Sequence, residues 1–368
     1  MNINLYNLNL KQTEVLKALA IIPIVLHNFL HWTNNIGENE TSLDPNRIYN
    51  LFNTILDEPL MWFNAFFTYS GPFFLPLFIF LSGYGLTKKY LKNDTISYKN
   101  YIVPRLAKLY GLWIFGIVIC YIFFSQYTPG GLGWYLQFAF KSLTMYNNLS
   151  IWRIYPSIFG PWWYFAMAVQ LYLIFPAIYV VIKKYKERGF LILLLVNYLL
   201  IYMLTPIANK YEVPIFGNFL GHTPEFILGV GFAMFKEFRI SWKIVLPALC
   251  LFIASNFFEY LFPFYYLSVT VLLLAIFYPL YRMKFEGNLL FKFLVFIGGI
   301  SMFMYLINGP LRAYYIFYFQ QQSTVMITLG ALMHLVIVIL ASYILSVCYK
   351  PINKLINILV GKIVSAKK

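Results

Sequence analysis

A few polar side chains interrupt sequence that a lipid bilayer would otherwise accept. Lys17, His27 and His31 lie in the first apolar run, and His222 and Glu225 lie in a later one. A charged side chain at the centre of a membrane span costs about 2.5–3.5 kcal/mol on insertion scales, so each needs a reason. Histidine is the natural general base near neutral pH, and a buried carboxylate can orient it or bind an acceptor hydroxyl. These residue types indicate proton-transfer chemistry inside the membrane.

A second set of polar residues is cationic and lies near one end of the spans. Arg105 and Lys108, in YIVPRLAKLYGLW, are three residues apart and share a helix face. Lys17 enters from the same side, and His27 lies about 15 Å further along its helix, past the midplane. Snorkelling anchors would account for these cations. Three of them at one depth would equally suit an anionic ligand.

The histidines also allow a metal-site interpretation. His27 and His31 are four residues apart, and His222 and Glu225 are three apart, so the four could surround one ion. Two of the histidines would have to reach in from the interface, and no carboxylate that supports a ligand is visible. We therefore expect no metal.

Membrane helices must position these residues. The chain has 368 residues, of which 61% are hydrophobic and only 11% are charged, whereas a soluble domain carries about 25% charged residues. Ten apolar segments have roughly the 17–25 residues that cross the hydrocarbon. They cover residues 15–32, 71–87, 105–124, 161–182, 190–209, 217–235, 242–258, 262–282, 290–309 and 324–349. The sequence predicts an all-α polytopic bundle of about ten transmembrane helices, as one domain over residues 1–368, with interfacial segments at 59–70 and 131–146.

The distribution of lysine and arginine orients this bundle. If the N-terminus is inside, 23 of the 28 basic residues fall on the inner side of ten spans. The other five are Arg47, Lys141, Arg153, Lys210 and Arg312. We expect both termini in the cytoplasm and a multi-pass protein of the inner (plasma) membrane. The net charge of +15 is clustered between apolar runs, which argues against a nucleic-acid partner.

Five stretches, in order, resemble acyltransferase family 3, whose members are integral membrane acyltransferases. They are FFLPLFIFLSGYGLTKKY (73–90), YIVPRLAKLY (101–110), GPWWYFAMAVQLYLIFPAI (160–178), PEFILGVGFAMF (224–235) and IGGISMFMYLINGPLR (297–312). The similarity extends over nearly the whole chain.

The resemblance implies an O-acyltransferase that moves an acyl group, usually acetyl, from cytoplasmic acyl-CoA to a hydroxyl of an extracytoplasmic or lipid-linked glycan. It implies that His27 is the catalytic base and that Glu225 is the family's glutamate. Lys17, Arg105 and Lys108 match the basic residues that contact the CoA phosphates. Acetyl-CoA is therefore the expected donor, and the expected reaction modifies a polysaccharide of the cell envelope.

The expected acceptor site lies on the outer side. Trp162 and Trp163 begin the fourth span, where an aromatic belt accounts for them and where they would also suit a sugar-stacking platform. His222 and Asn308 complete the residues that we expect to bind the acceptor.

The sequence departs from the family pattern at three points. Lys17 and Lys108 stand where the family has arginine, and lysine binds phosphate as a point charge without a bidentate fork. Asn308 stands where many members have histidine. An offset of eleven residues would place Asn28, not His27, on the helix face of Lys17, because ten residues leave a rotation of about 80°.

Two other functions fit the same polar groups. A transporter or flippase of an anionic lipid-linked substrate would also use inner cations and midplane polar residues, but inverted repeats are not visible. A relative without activity, acting as a sensor or scaffold, would fit the altered spacing between Lys17 and His27. Substrate accumulation without acyl-CoA would indicate the transporter, and binding or turnover of acyl-CoA would separate the enzyme from the scaffold.

Overall fold

The computed structural model describes residues 2–37, 40–91, 96–127, 130–149, 157–282 and 288–365. The helices are α1 Leu10–Leu30, α2 Arg47–Asp57, α3 Trp62–Ser70, α4 Leu75–Tyr90, α5 Tyr98–Phe124, α6 Leu132–Leu143, α7 Trp163–Lys210, α8 Phe219–Met234, α9 Trp242–Ser255, α10 Tyr265–Ile276, α11 Tyr278–Arg282, α12 Leu289–Arg312, α13 Ile316–Phe319 and α14 Thr324–Ser365. Two short strands, β1 Asn2–Ile3 and β2 Ile240–Ser241, pair antiparallel. Five of the lysines and arginines that were used to orient the bundle lie outside the described residues. They are Lys92, Arg153, Lys284, Lys367 and Lys368.

The described chain is an all-α membrane bundle, as predicted. Seven of its helical segments are long and apolar enough to cross a membrane. Every predicted span corresponds to a helix, although the lengths differ. Segments 161–182 and 190–209 lie in α7, which is interrupted at Lys186, where φ is 53°. Helices α8 and α9 have only 16 and 14 residues, because a 3-10 turn and the extended Asn218 precede α8 and a turn at residues 256–257 follows α9.

The segment 59–70 is helical and joins the next span. A 3-10 turn over Gly71–Phe74 connects α3 to α4, so that Pro59–Tyr90 forms one apolar unit of 32 residues. The segment 131–146 contains α6, which buries Tyr135 and Phe138 on one face. Both segments are thus helical elements that pack against the bundle.

Helix α1 begins at a capping box. The Asn9 side chain accepts a hydrogen bond from the Gln12 amide, and the Gln12 side chain accepts one from the Asn9 amide, at 2.9 and 3.0 Å. The helix packs most extensively along α12. Gly298 allows this approach, because a Cβ there would overlap the carbonyl oxygen of Glu14. Small residues at such crossings let two membrane helices come close.

Helix α4 makes a similar close crossing with α8. A Cβ at Gly229 would overlap the carbonyl oxygen of Phe80, and one at Gly83 would overlap that of Phe226. Helix α8 also packs against α7. Away from these contacts, apolar side chains such as Leu191 and Leu195 on α7 remain exposed, as expected for surface that faces lipid.

Candidate active site

A cavity of about 410 Å³ lies among α1, α4, α5, α7 and α12. Lys17, Arg105 and Lys108 all line it, together with Lys89. We call it the cation cavity. The three cations that we expected to hold the donor therefore face one space, although they come from two helices. Lys89 is a fourth member, which the sequence indicated only as an inner-side anchor.

One carboxylate moderates the charge of the cation cavity. The Nζ atom of Lys17 lies 3.0 Å from Oε1 of Glu14, one turn earlier on α1. The Lys17 side chain keeps 32% of its surface exposed, so it can also reach a ligand in the cavity. The charges of Arg105 and Lys108 act on Lys89 as well. Such a concentration of positive charge favours an anionic occupant.

A second, much smaller cavity lies further along α1. It has a volume of about 20 Å³ and is lined by Ile24, His27, Asn28, Glu40, Gly71, Pro72, Leu75, Pro161 and Tyr305. We call it the histidine cavity. His27 is 5% exposed and therefore faces the protein interior, not lipid. His27 and Asn28 both line the cavity, so either helical register places a polar side chain there.

The hydrogen bonds of His27 select its tautomer. Its Nδ1 atom lies 2.9 Å from the carbonyl oxygen of Thr68 on α3. Since a carbonyl only accepts, Nδ1 carries the proton, and Nε2 is the basic nitrogen of the neutral ring. The ring of His31 stacks on that of His27 at 4.9 Å. The Thr68 carbonyl and the ring of His31 thus hold the imidazole in one orientation.

Gly71 holds the wall of the histidine cavity against His27. A Cβ at this position would overlap Cβ and Cγ of His27. Only glycine therefore allows the 3-10 turn of Gly71–Phe74 to pass so close to the imidazole.

Glu225 lies in a different cluster, with His222. Its Oε1 atom is 3.7 Å from Nδ1 of His222, and both side chains are fully buried. His222 donates from Nε2 to the carbonyl oxygen of Phe216 at 2.9 Å, and its ring stacks on Trp163 at 5.7 Å. Within the described part of the chain, both carboxylate oxygens of Glu225 lack a hydrogen-bond partner. The structure thus brings together Glu225, His222 and Trp163, and Glu225 is not among the described residues that line the histidine cavity.

Glu40 contacts both the histidine cavity and the group of residues around His222. It lines the histidine cavity, and its Oε1 atom accepts a hydrogen bond from Nε1 of Trp163 at 3.3 Å. Its backbone carbonyl accepts a hydrogen bond from the hydroxyl of Tyr266, whose ring is 4.7 Å from that of His222. Sequence reasoning missed Glu40, because no local pattern links it to Trp163 and Tyr266, which are 123 and 226 positions away.

Trp162 and Asn308 are both held inside the bundle. Trp162 is fully buried and donates from Nε1 to the carbonyl oxygen of Leu306 at 3.0 Å. Oδ1 of Asn308 accepts from Nε2 of His334 at 2.7 Å, and Nδ1 of His334 meets the hydroxyl of Tyr315. Among the described residues, Nδ2 of Asn308 has no hydrogen-bond partner. His334 therefore fixes the direction of the Asn308 amide.

One face of α12 carries a polar stripe along both cavities. Ser301 lines the cation cavity and Tyr305 the histidine cavity, followed by Asn308 and Arg312 on the same face. Arg312 donates to the carbonyl oxygen of Asn28 at 2.5 Å. The spacing of four, three and four residues is helical and is present in the sequence, but nothing there shows that the stripe faces α1.

A third cavity, of about 350 Å³, lies next to the group formed by His222, Glu225 and Trp163, which we call the His222 cluster. Thr41, Ser42, Glu212 and Glu259 contribute its polar wall, and Phe216 contributes to its apolar wall. Phe216 is the residue whose carbonyl accepts from His222. We call this space the outer cavity. Three of the residues that line it, Thr41, Ser42 and Leu43, directly follow Glu40 in the chain.

The histidines do not form a single cluster. His27 and His31 stack on each other, whereas His222 pairs with Glu225. Across the described ranges, no three side chains of histidine, cysteine, aspartate or glutamate gather as metal ligands do.

Fold and cavities define a multi-pass membrane protein with a basic cavity at one depth and a buried histidine at another. The chain belongs to acyltransferase family 3. The family's model, described as an acyltransferase domain, matches residues 10–350, which confirms the resemblance and makes the protein a membrane acyltransferase. No curated protein and no solved structure matches the chain.

Proposed function

We propose that this protein transfers an acetyl group from cytoplasmic acetyl-CoA to a hydroxyl of an extracytoplasmic or lipid-linked glycan in the inner (plasma) membrane. The observation that carries the proposal is the arrangement of the cation cavity and the histidine cavity along the same helices. The cation cavity supplies a donor site, and His27 supplies a base deeper in the bundle. The termini and the cation cavity would then lie on the cytoplasmic side.

The cation cavity suits the charge of coenzyme A. Arg105 can bind a phosphate with two parallel hydrogen bonds, whereas Lys17, Lys89 and Lys108 act as point charges. The pairing of Lys17 with Glu14 at 3.0 Å reduces its net attraction for an anion. Arg105 is therefore the strongest single contact that we expect for the donor.

His27 provides the proton acceptor for the reaction. The acceptor hydroxyl oxygen forms a bond to the acyl carbon as the C–S bond of the thioester breaks. The hydroxyl proton passes to Nε2 of His27, which then gives it to the departing thiolate, so that the CoA thiol forms and the imidazole is neutral again. Alternatively, Nε2 carries the acyl group transiently before the hydroxyl attacks. The products in both cases are the glycan ester and free CoA.

The His222 cluster would hold the acceptor. The buried carboxylate of Glu225 can accept hydrogen bonds from sugar hydroxyls, and the stacked rings of His222 and Trp163 provide apolar surface beside it. Asn308 can donate from Nδ2, which has no hydrogen-bond partner among the residues that the structure describes. The outer cavity provides a route from outside, because its residues 41–43 follow Glu40, which lines the histidine cavity.

Radiolabelled acetyl-CoA and membranes that contain the protein test this proposal. We expect His27→Gln to lower acetyl transfer to the glycan fraction by about 10²–10⁴-fold, which is the usual contribution of a general base. His31→Gln, one turn away, is the matched control and should lose far less. Undiminished labelling by the His27 variant would remove His27 from the mechanism.

A further inference from the structure

Two tyrosines separate the cation cavity from the histidine cavity. We propose that Tyr164 and Tyr305 select the donor by the length of its acyl chain and restrict transfer to the shortest acyl groups. This inference rests on the proposed function, since it assigns a specificity to the same pair of cavities.

The two rings lie at the boundary between the cavities. Tyr164 lines the cation cavity and Tyr305 lines the histidine cavity. Their ring centroids are 5.3 Å apart with an interplanar angle of 57°, and each residue is 6% exposed. The rings are therefore in direct contact, with one cavity on either side of the pair.

A hydrogen bond fixes the position of Tyr305. Its hydroxyl donates to the carbonyl oxygen of Pro161 at 2.5 Å, and Pro161 itself lines the histidine cavity. The ring of Phe165 lies 6.2 Å away in an edge-on arrangement and supports Tyr305 from behind. Tyr305 thus presents a fixed wall to an acyl group near His27.

The partition between the cavities is about one helical turn thick along α4 and α12, whereas along α1 the nearest lining residues, Lys17 and Ile24, are seven positions apart. On α4, Leu75 lines the histidine cavity and Phe78 the cation cavity. On α12, Tyr305 and Ser301 are related in the same way. One turn advances about 5.4 Å. A thioester that enters the cation cavity therefore has to extend only past the tyrosine pair to approach His27.

The volumes of the two cavities indicate the selection. The cation cavity has about 410 Å³ and the histidine cavity about 20 Å³, which is little more than the roughly 10–15 Å³ that one water requires. When the carbonyl carbon reaches His27, each further methylene of the acyl chain must push against Tyr305, Pro72 or Leu75. Overpacking of this kind is costly in a close-packed interior.

This selection can be tested by comparing the rates of transfer from donors whose acyl chains differ in length. Membranes with their native glycan would receive acetyl-CoA, propionyl-CoA or butyryl-CoA, each labelled in the acyl group, and transfer to the glycan fraction would be followed. We expect the wild type to prefer acetyl. Tyr164→Leu should raise the butyryl-to-acetyl ratio by about tenfold or more, because one methylene in an apolar pocket changes discrimination by roughly 10–200-fold. Tyr305→Phe keeps the ring but loses the bond to Pro161, so it should raise the ratio by a smaller factor.

Tyr349→Leu is the matched control. Tyr349 is a buried tyrosine of α14 that packs against Phe115 and Phe303, at 5.2 and 5.8 Å, outside both cavities. Its replacement should leave the butyryl-to-acetyl ratio as in the wild type. If Tyr164→Leu does not fold, Tyr305→Phe decides the question alone.

The outcomes separate the two proposals. An unchanged ratio in the folded, active variants, or a wild type that prefers butyryl, would overturn the role of the tyrosines and leave the acyltransferase proposal standing. Transfer of none of the three acyl groups by the wild type would instead contradict the proposed function itself.

Discussion

At the scale of single residues, the environment of His27 determines what its imidazole can do. The Thr68 carbonyl, 2.9 Å from Nδ1, selects the tautomer in which Nε2 is basic. Gly71 then holds the cavity wall against the same side chain. Two residues without any charge therefore set both the tautomer and the position of the imidazole.

Gly71→Ala should lower acetyl transfer by about 100-fold, because the new methyl group would overlap Cβ and Cγ of His27 and a shift of about 1 Å at a reacting group has this effect. Gly133→Ala on α6 is the control, since a Cβ there meets open space. Initial rates should be normalised to the folded protein measured by size-exclusion chromatography. Wild-type rates in the Gly71 variant would show that the imidazole is not held in this way.

Arg105→Gln should raise the KM for acetyl-CoA by about tenfold, with little change in kcat, because a hydrogen bond to a charged group is worth roughly 1.5–3 kcal/mol. Arg188→Gln is a suitable control, since this arginine is exposed between the two halves of α7. Steady-state kinetics over a range of donor concentrations would measure both parameters. A fall in kcat at unchanged KM would place Arg105 in the chemical step and not in donor binding.

At the scale of elements, the crossing of α1 and α12 aligns the two cavities. Helix α1 carries Lys17 and His27, and α12 carries Ser301 and Tyr305, so each helix contributes to both cavities. Gly298 is a point of close approach, where a Cβ would overlap the Glu14 carbonyl oxygen. The separation of these helices therefore affects the cation cavity and the histidine cavity together.

Gly298→Ala should destabilise the protein by about 1–3 kcal/mol, the usual cost of overpacking. Gly299→Ala, the adjacent position, should have no such effect, because a Cβ there meets nothing within 4 Å. Thermal unfolding of both variants in detergent would give the comparison. Equal stability of the two would mean that α1 and α12 can separate without cost.

At the scale of the whole molecule, the proposed reaction requires opposite sides of the membrane for donor and acceptor. The outer cavity includes Ser42, whereas α5, which carries Arg105, begins just after Ser97. Both serines are exposed. They are therefore suitable positions for reporting which side each end of the bundle faces.

Ser42→Cys should react with a membrane-impermeant maleimide in intact cells, and Ser97→Cys should react only after permeabilisation. The three native cysteines, Cys120, Cys250 and Cys348, lie within apolar helices. Their labelling in the wild type gives the background signal of the experiment. Mass spectrometry would quantify the label at each site. Labelling of both positions in intact cells would contradict the orientation derived from the lysines and arginines.

Several features of this protein follow from its sequence alone. Long apolar runs can only be satisfied as helices in lipid, so the all-α bundle is predictable, and the family motifs are local strings that need no structure to be recognised. Arg105 and Lys108 share a helix face by their spacing, so their joint presence in one cavity could be anticipated. Lys17 could be placed at the same depth by its distance from the end of the span.

The tertiary structure alone decided which polar groups meet. Helix spacing alone pairs Glu225 with His222, three residues earlier, but only the packing of the chain shows that the carboxylate lining the histidine cavity is Glu40 and not Glu225. Tyr164 and Tyr305 are 141 residues apart and carry no chemical signal in the sequence, yet they are in contact between the two cavities. Hydropathy and spacing determine depth and helix face, whereas the choice of neighbour depends on side-chain packing between helices, which a single sequence does not display.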